Sequence, residues 1–263
     1  MDVRALDIAL LQAVNGFAGR WPLLDLVMTK VVALYSVKTL PLVLCIVWLW
    51  FLADDEDAQA RRRNRIASAL LGMFLALVVS RVMQNLMPHL PRPMHTAGLD
   101  LITPIGASMD ELQGWSSFPS DHAAMSLAIS YGIWRESRKL GILAFAWAIL
   151  VICLPRVYSG FHFPSDLIAG GLIGVACVYL VTRLVPRPLN LRLPLQNRPY
   201  GQSIFYTATF AILFWIATMF GDVRSISKGL FEVAALGEVQ YEESEPEPEP
   251  GQGFAAVAPL DAS

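Results

Sequence analysis

Three apolar runs, each close to 20 residues long, limit what this chain can fold into. Residues 34–53 and residues 66–86 contain one charged side chain each, and residues 203–220 contain none. A helix needs about 20 apolar residues to cross a bilayer. Only 16% of the residues are charged, whereas an average soluble domain has about 25%. The sequence therefore predicts an integral membrane protein and excludes a soluble one.

Three shorter apolar runs lie at residues 123–134, 140–154 and 167–181. A polar motif adjoins each of them, and inclusion of the motif residues lengthens each run to a plausible span. The predicted fold class is therefore all-α, a six-helix integral membrane bundle with N-terminal interfacial helices. The interfacial helices are expected in the first 37 residues, where apolar residues recur at helical spacing among polar ones.

The chain is expected to divide into four segments: an N-terminal interfacial segment (1–37), a transmembrane domain (38–221), a short amphipathic segment (222–236) and a disordered acidic tail (237–263). The last segment begins near YEESEPEPEPGQG, which is acidic, rich in proline and without apolar periodicity. Such a composition cannot bury enough apolar surface to fold.

Basic residues are concentrated in the loops at one side of the predicted bundle, namely at Arg61, Arg62, Arg63, Arg65, Arg135, Arg138, Lys139, Arg183, Arg187, Arg192 and Arg198. The excess of Lys and Arg on cytoplasmic loops predicts that this side faces the cytoplasm. A net charge of −2 gives no indication of nucleic-acid binding. The three cysteines lie inside apolar runs, which indicates neither a disulfide framework nor a zinc site.

The tetrapeptide FPSD occurs twice, at residues 118–121 and 163–166, and both copies are expected on the outward side. His162 precedes the second copy in a turn, and a helix is expected to begin at Pro164 or Ser165. Asp166, in the first turn of that helix, can reach back to the imidazole and fix its tautomer. The plainer alternative is that Asp166 only offsets the helix dipole.

At the first copy, Ser120 and Asp121 are expected to open a helix that has His122 in its first turn. The backbone N–H groups at a helix N-terminus attract anions, and a histidine there can donate a proton to a leaving oxygen. A simple capping cluster is the alternative. Arg92 and Arg156 add two guanidinium groups, whose planar donors suit phosphate oxygens. Together these residues predict a phosphoryl-transfer site.

The same residues form three motifs: Arg92-Pro93, then Pro119-Ser120-Asp121-His122, then Arg156 with His162 and Asp166 at fixed spacing. These motifs resemble the signatures of the type 2 phosphatidic acid phosphatase superfamily, most closely its bacterial undecaprenyl-diphosphate phosphatase branch. The six-helix plan of that family would cover about residues 35–220.

The resemblance implies a role for each residue. His162 would take the phosphoryl group as phosphohistidine, Asp166 would orient it, and His122 would protonate the leaving group and later activate water. The phosphate-binding residues would be Arg92, Arg156, Ser120 and Asp121. No metal and no cofactor would be required.

Two positions depart from the family pattern. Asn85 stands where a lysine usually precedes the arginine by seven residues, and Pro155 stands where a serine usually precedes Arg156. Arg81, one turn before Asn85, is an accessory candidate that could compensate in part, or it could be a structural arginine. His95 is a further accessory candidate near the substrate headgroup.

The resemblance implies hydrolysis of undecaprenyl (polyprenyl) diphosphate to the monophosphate at the outer face of a bacterial inner (plasma) membrane. The partners would be an isoprenoid or glycerophospholipid phosphate and the bilayer itself. The alternatives are a phosphatase for phosphatidylglycerophosphate, phosphatidic acid or lipid A, and a lipid-to-lipid phosphotransferase. A non-catalytic membrane transporter or scaffold is an alternative of another class.

Overall fold

The computed structural model describes residues 3–52, 55–107, 114–184 and parts of 208–218. Every regular element in these ranges is helical, so the all-α prediction is confirmed. The elements are α1 (Val3–Asn15), α2 (Pro22–Ala33), α3 (Tyr35–Phe51), α4 (Glu56–Leu86), a 3₁₀ turn (Pro93–His95), α5 (Asp121–Glu136), α6 (Arg138–Trp147), a π-helical turn (Ala148–Cys153), α7 (Leu154–Tyr158) and α8 (Pro164–Leu184). The predicted segments 222–236 and 237–263 lie outside the described residues.

Helices α4, α5 and α8 pack against one another and form the centre of the molecule. Glycines allow the close approach of α5 and α8. A Cβ added to Gly170 would lie 2.2 Å from the carbonyl oxygen of Ser120, and one added to Gly174 would lie 2.1 Å from that of Ala124. Real Cβ atoms do not approach oxygen so closely, so these two helices can touch only because both positions lack a side chain.

A π-helical turn separates α6 from α7. The N–H of Leu154 donates to the carbonyl oxygen of Ile149, five residues earlier. Pro155 follows directly and has no N–H to donate, so the α-helical pattern of hydrogen bonds cannot continue through it. Pro155, which stands where the family motif usually has a serine, thus lies between the end of the π turn and Arg156.

The N-terminal helices pack onto the rest of the described chain rather than standing apart from it. Leu11 of α1 is fully buried in an apolar cluster with Ala123 of α5, Val157 of α7 and Leu167 of α8. Between α2 and α3 the chain bends by 54°. Helix α1 therefore lies against the ends of α5, α7 and α8 that carry the predicted motifs, and α2 contacts α7.

Three helices in the described residues are long and apolar enough to cross a membrane: Asp57–Leu86, Arg138–Tyr158 and Pro164–Leu184. The bent pair α2–α3 would bring the count to four. Helix α5 has 16 residues and falls short of this test, and the sixth predicted run, 203–220, is described only in part. The multi-pass character agrees with the sequence, and the number six stays a prediction.

The two ends of the bundle differ in chemistry. At one end, Arg65 of α4 donates two hydrogen bonds to Glu136 of α5, at 2.6 and 2.8 Å, and Arg62 lies 3.8 Å from the same carboxylate. The opposite end carries both FPSD copies, at the first residues of α5 and α8. Arg62 and Arg65 at the start of α4 are thus separated by the length of the helices from the predicted phosphoryl-transfer motifs.

Candidate active site

His162 lies in the short loop between α7 and α8, as the sequence predicted. The carbonyl oxygen of Arg156 accepts hydrogen bonds from the N–H of Phe161 at 2.8 Å and of His162 at 3.4 Å. Gly160 reverses the chain there with a φ of 69°, which a glycine adopts without strain. The loop therefore closes tightly on the helical turn that carries Arg156, and helix α8 begins at Pro164.

The hydrogen bonds of His162 define its tautomer. Its Nδ1 lies 2.9 Å from the carbonyl oxygen of Ser117 and 3.5 Å from Oδ2 of Asp166. A carbonyl oxygen can only accept, so Nδ1 carries the proton and Nε2 presents its lone pair. The sequence predicted Asp166 as the orienting group, whereas the nearest acceptor is the main chain of Ser117. Asp166 adds negative charge beside the ring and also accepts from the N–H of Phe163 at 2.9 Å.

Arg92 approaches the other ring nitrogen of His162. Its Nη1 lies 3.2 Å from Nε2 and also donates to the carbonyl oxygen of Phe161 at 2.9 Å, while its Nη2 donates to that of Ser116 at 3.3 Å. Burial lowers the pKa of Arg92 to about 10, and the charge of Asp121 acts against this shift. The guanidinium therefore stays cationic at neutral pH, beside the atom predicted to attack phosphorus.

The environment of His162 favours its neutral form. Burial lowers the pKa of His162 below its usual 6.5, and Arg92 and Arg156 lower it further, while contact with Asp166 opposes the shift. The side chain is almost completely buried. A neutral imidazole with its lone pair on Nε2 is the form that can act as a nucleophile.

His122 lies in the first turn of α5, where Ser120 is the N-cap residue and accepts from the N–H of Ala123. The Nδ1 of His122 lies 2.8 Å from Oδ1 of Asp121. A carboxylate accepts, so Nδ1 carries a proton and Nε2 is the nitrogen that can exchange a proton with a substrate. The predicted helix start and the position of His122 within it are confirmed.

Asp121, predicted as a phosphate-binding residue, contacts two protein side chains. Its Oδ1 contacts His122, and its Oδ2 lies 2.7 Å from Nη2 of Arg81. Both carboxylate oxygens are thus engaged by protein groups. Arg81 lies near the end of α4, and Asn85, one turn further along the same helix, is exposed. His95 is half-buried in the 3₁₀ turn, and its backbone N–H donates to the carbonyl oxygen of Arg92 at 2.9 Å.

Several buried donors of the site have no hydrogen-bond partner among the described residues, namely Nε of Arg92 and the hydroxyls of Ser117 and Ser159. Unsatisfied buried donors are costly and call for an explanation. Arg156 is also buried and lies on α7, just before the loop that carries His162. An anion with several acceptor oxygens, such as a phosphate, matches such a set of donors in charge and hydrogen bonding.

Sequence reasoning missed the contribution of the N-terminal helices. Asp7 of α1 accepts hydrogen bonds from the N–H and the hydroxyl of Ser165, at 2.8 and 2.6 Å, and so caps α8 from outside. Asn15 donates to the carbonyl oxygen of Tyr158 at 2.8 Å, and the Tyr158 hydroxyl bonds to Asp25 of α2. The only sequence signal was the presence of polar residues within mostly apolar helices.

The described part of the chain contains no group of three or more His, Cys, Asp or Glu side chains arranged to hold a metal ion. Arg92, Arg156 and Asp166 act electrostatically on His162, and His122 is held by its contact with Asp121 at the start of α5. These residues can hold a phosphate, present a nucleophilic nitrogen and supply a proton.

Comparison with known proteins agrees with this class of site. The profile of the PAP2 superfamily matches residues 65–189. The Escherichia coli (strain K12) protein named "Putative undecaprenyl-diphosphatase YbjG" is 31% identical over 162 residues, which cover 60% of this chain and 73% of that protein. "Undecaprenyl-diphosphatase BcrC" of Bacillus subtilis (strain 168) is 23% identical over 184 residues, covering 68% and 83% of the two chains.

The fold also resembles a solved structure. The crystal structure of Aquifex aeolicus LpxE superposes with a TM-score of 0.51 at 24% sequence identity, and the match covers 68% of this chain and 95% of that one. Fold and motifs together define a multi-pass membrane phosphatase. The chain belongs to the PAP2 superfamily.

Proposed function

We propose that this protein hydrolyses undecaprenyl diphosphate, or a related polyprenyl diphosphate, to the monophosphate through a phosphohistidine intermediate. The observation that carries the proposal is the arrangement around His162: Nδ1 donates to the carbonyl oxygen of Ser117, and Nε2 lies 3.2 Å from Nη1 of Arg92. The names of the relatives in Escherichia coli and Bacillus subtilis support this substrate class.

In the first step, Nε2 of His162 attacks the terminal phosphorus, and the bond between phosphorus and the bridging oxygen breaks. His122 donates its Nε2 proton to that oxygen, so the lipid monophosphate leaves. In the second step, neutral His122 takes a proton from water, the water oxygen bonds to phosphorus, and the bond to His162 breaks. Arg92 and Arg156 hold the phosphate oxygens throughout, as the buried donors near them would favour.

The test is phosphate release by detergent-purified protein in EDTA, with undecaprenyl diphosphate, phosphatidic acid, phosphatidylglycerophosphate and lipid A phosphate as separate substrates. We expect the polyprenyl diphosphate to be cleaved most efficiently and His162→Ala to abolish release. His89→Ala is the matched control, because His89 is exposed and has no role in the proposed mechanism. Full activity of His162→Ala, or loss of wild-type activity in EDTA, would contradict the mechanism.

We further propose a location in the bacterial inner membrane, with the site on the outer face, in support of which the basic residues at the start of α4 lie at the opposite end of the helices. In a variant without native cysteines, Ala97→Cys should react with an impermeant thiol reagent added to intact cells. Arg61→Cys should react only after the cells are opened. Both residues are exposed. The reverse labelling pattern would invert the orientation.

A further inference from the structure

Arg81 on α4 forms an ion pair with the residue that contacts the proton-donating histidine. Its Nη2 lies 2.7 Å from Oδ2 of Asp121, and Oδ1 of the same carboxylate lies 2.8 Å from Nδ1 of His122. The Oδ1 atom also accepts from the backbone N–H of His122 at 2.9 Å. The carboxylate therefore lies between a guanidinium and an imidazole, with a different oxygen directed to each.

Other groups hold Arg81 in this position. Its Nη1 donates to Oε1 of Gln84 at 3.0 Å, and Nε2 of Gln84 donates to the carbonyl oxygen of Pro119 at 2.7 Å. The indole ring of Trp115 lies 5.3 Å from the guanidinium carbon. These contacts join α4 to the residues just before α5. They fix both terminal nitrogens of Arg81 on protein acceptors rather than leaving the side chain extended into solvent.

Two simpler roles for Arg81 fit these contacts less well. A phosphate ligand that replaces the usual lysine would direct its terminal nitrogens toward the substrate, whereas here both donate to Asp121 and Gln84. A purely structural arginine would not need a partner that itself contacts His122, as Asp121 does. Helices α4 and α5 already have a structural ion pair at their other end, between Arg65 and Glu136.

We propose that Arg81 is a positioning residue for proton transfer, which acts on His122 through Asp121. Asp121 holds the Nδ1 proton of His122, so the Nε2 proton is the one transferred to the bridging oxygen when the phosphorus–oxygen bond breaks. Arg81 fixes the carboxylate and offsets part of its charge. This keeps the imidazolium acidic enough to release its proton and neutral imidazole basic enough to activate water in the second step. This role rests on the proposed function.

The sign of each electrostatic effect follows from the charges. Asp121 stabilises the protonated form of His122, and Arg81, beside the same carboxylate, opposes that effect. Arg92, before the 3₁₀ turn, acts electrostatically on both Asp121 and Arg81. Arg92 also acts on Asp166 in the first turn of α8 and on His162 in the loop before it, and Arg156 on α7 acts on His162. They are unchanged in variants of Arg81 and Asp121, so a comparison of those variants isolates the pair.

The test is the dependence of kcat and KM on pH for Arg81→Gln, Arg81→Lys and Asp121→Asn with polyprenyl diphosphate in EDTA. Because His122 must be protonated to donate, the activity falls on the alkaline side as it loses its proton. We expect Arg81→Gln to move this alkaline limb about one pH unit higher, and Asp121→Asn to move it lower. Arg81→Gln should lower kcat about tenfold or more with KM changed less than twofold, and Arg81→Lys should restore most of the loss.

Arg65→Gln is the matched control, because it removes an arginine–carboxylate pair between the same two helices at the end remote from the site. It should leave the pH profile in place. A higher KM for Arg81→Gln with an unmoved alkaline limb would make Arg81 a phosphate ligand and overturn the proposal. Unchanged kinetics in Arg81→Gln would overturn it as well. If that variant does not fold, an alkaline limb that stays in place or moves higher in Asp121→Asn also overturns it.

The same experiment separates this role from the proposed function. Phosphate release by wild type that His162→Ala abolishes establishes the phosphohistidine chemistry, whatever the Arg81 variants do. Absence of release from every lipid by the wild type would instead refute the proposed function and, with it, the role of Arg81.

Discussion

The backbone N–H of Ser120 donates a hydrogen bond to the carbonyl oxygen of Asp166 over 3.1 Å. This bond joins the first turns of α5 and α8, and so joins the two FPSD copies. The histidine after the first copy and the histidine before the second are therefore held by one connected piece of backbone. Their relative position depends on the packing of these two helix starts, which gives a first prediction.

Gly170→Ala should disrupt the junction of the two helix starts. A Cβ at position 170 would lie 2.2 Å from the carbonyl oxygen of Ser120, and the backbone would have to move apart. We expect about 1–3 kcal/mol of destabilisation and loss of most phosphatase activity, measured by thermal unfolding and phosphate release in detergent.

Gly171→Ala is the control for that variant. Its Cβ would meet the Cδ1 atom of Leu127 at 2.3 Å, at the far end of a flexible side chain that can turn away. The higher helix propensity of alanine acts in its favour by up to about 1 kcal/mol. Equal losses in the two variants would contradict the importance of the Ser120 contact.

The fall in activity at low pH, the acid limb of the pH profile, should reflect protonation of His162. Its attacking nitrogen must be unprotonated, and burial lowers the pKa of His162 below 6.5. Activity should therefore persist into mildly acidic solution and fall only at pH values below 6.5. Asp166 acts against the lowering, so Asp166→Asn should move the acid limb to still lower pH while it reduces the maximal rate. Movement of this limb to higher pH in Asp166→Asn would show that the limb belongs to another group.

Asn15→Ala should weaken the loop that carries His162 from a distance. The side chain amide of Asn15 makes three hydrogen bonds, two to Ile102 and one to the carbonyl oxygen of Tyr158, each of 2.8 Å. Removal leaves buried backbone groups unsatisfied at a cost of about 1–3 kcal/mol. Thermal unfolding should show the loss, and kcat should fall with it.

Gln12→Ala on the same helix is the comparison for Asn15. Gln12 is exposed, and its side chain makes a longer bond of 3.3 Å to the carbonyl oxygen of Leu99. We expect a change of less than about 0.5 kcal/mol, as for a weakly bonded side chain near the surface. A similar loss of stability in both variants would mean that α1 as a whole, rather than Asn15, supports the loop.

Asn85→Lys should restore the cation that the family usually has at this position. Asn85 is exposed in the last turns of α4, so a longer side chain can be accommodated. A lysine there would add positive charge near the proposed phosphate site, and we expect KM for the lipid diphosphate to fall several-fold with little change in kcat. Asn85→Gln, which lengthens the side chain without adding charge, should keep the wild-type KM. A lower kcat with unchanged KM in the lysine variant would place residue 85 outside the path of the substrate.

The helix starts at Ser120 and Pro164 could be predicted from sequence because proline, serine and aspartate have local preferences that need no tertiary information. The apolar runs predicted the membrane class for the same reason. The contact between Ser117 and His162 could not be predicted, because its acceptor is a backbone carbonyl that any residue provides, 45 residues away in sequence. The contact of Asp7 with Ser165 spans 158 residues and depends on how α1 packs.

The two histidine partners show the same limit at closer range. Sequence spacing favoured Asp166 as the partner of His162, four residues away, but the loop directs Nδ1 toward Ser117. For Asp121, sequence spacing could not distinguish a phosphate ligand from a partner of His122. The contacts of Asp121 depend on how α4 packs against α5 and so on where the Arg81 side chain lies. Residue types identified the participants, and tertiary packing assigned their contacts.

The π-helical turn before Arg156 couples the length of the chain to the direction of a side chain. Successive residues of an α-helix are rotated by about 100° around its axis, and a π turn accommodates one residue more than an α turn. Deletion of a single residue within Ala148–Cys153 would return this stretch to regular α geometry and leave the flanking loops intact. Because the π turn holds that extra residue, the deletion would leave Arg156 on nearly the same side of the helix, whereas deletion of one residue from the α-helical part of α6 would turn it by about 100°. Among relatives of this chain, a one-residue gap within the π turn would therefore be compatible with the same direction of Arg156, and a one-residue gap elsewhere in α6 would not.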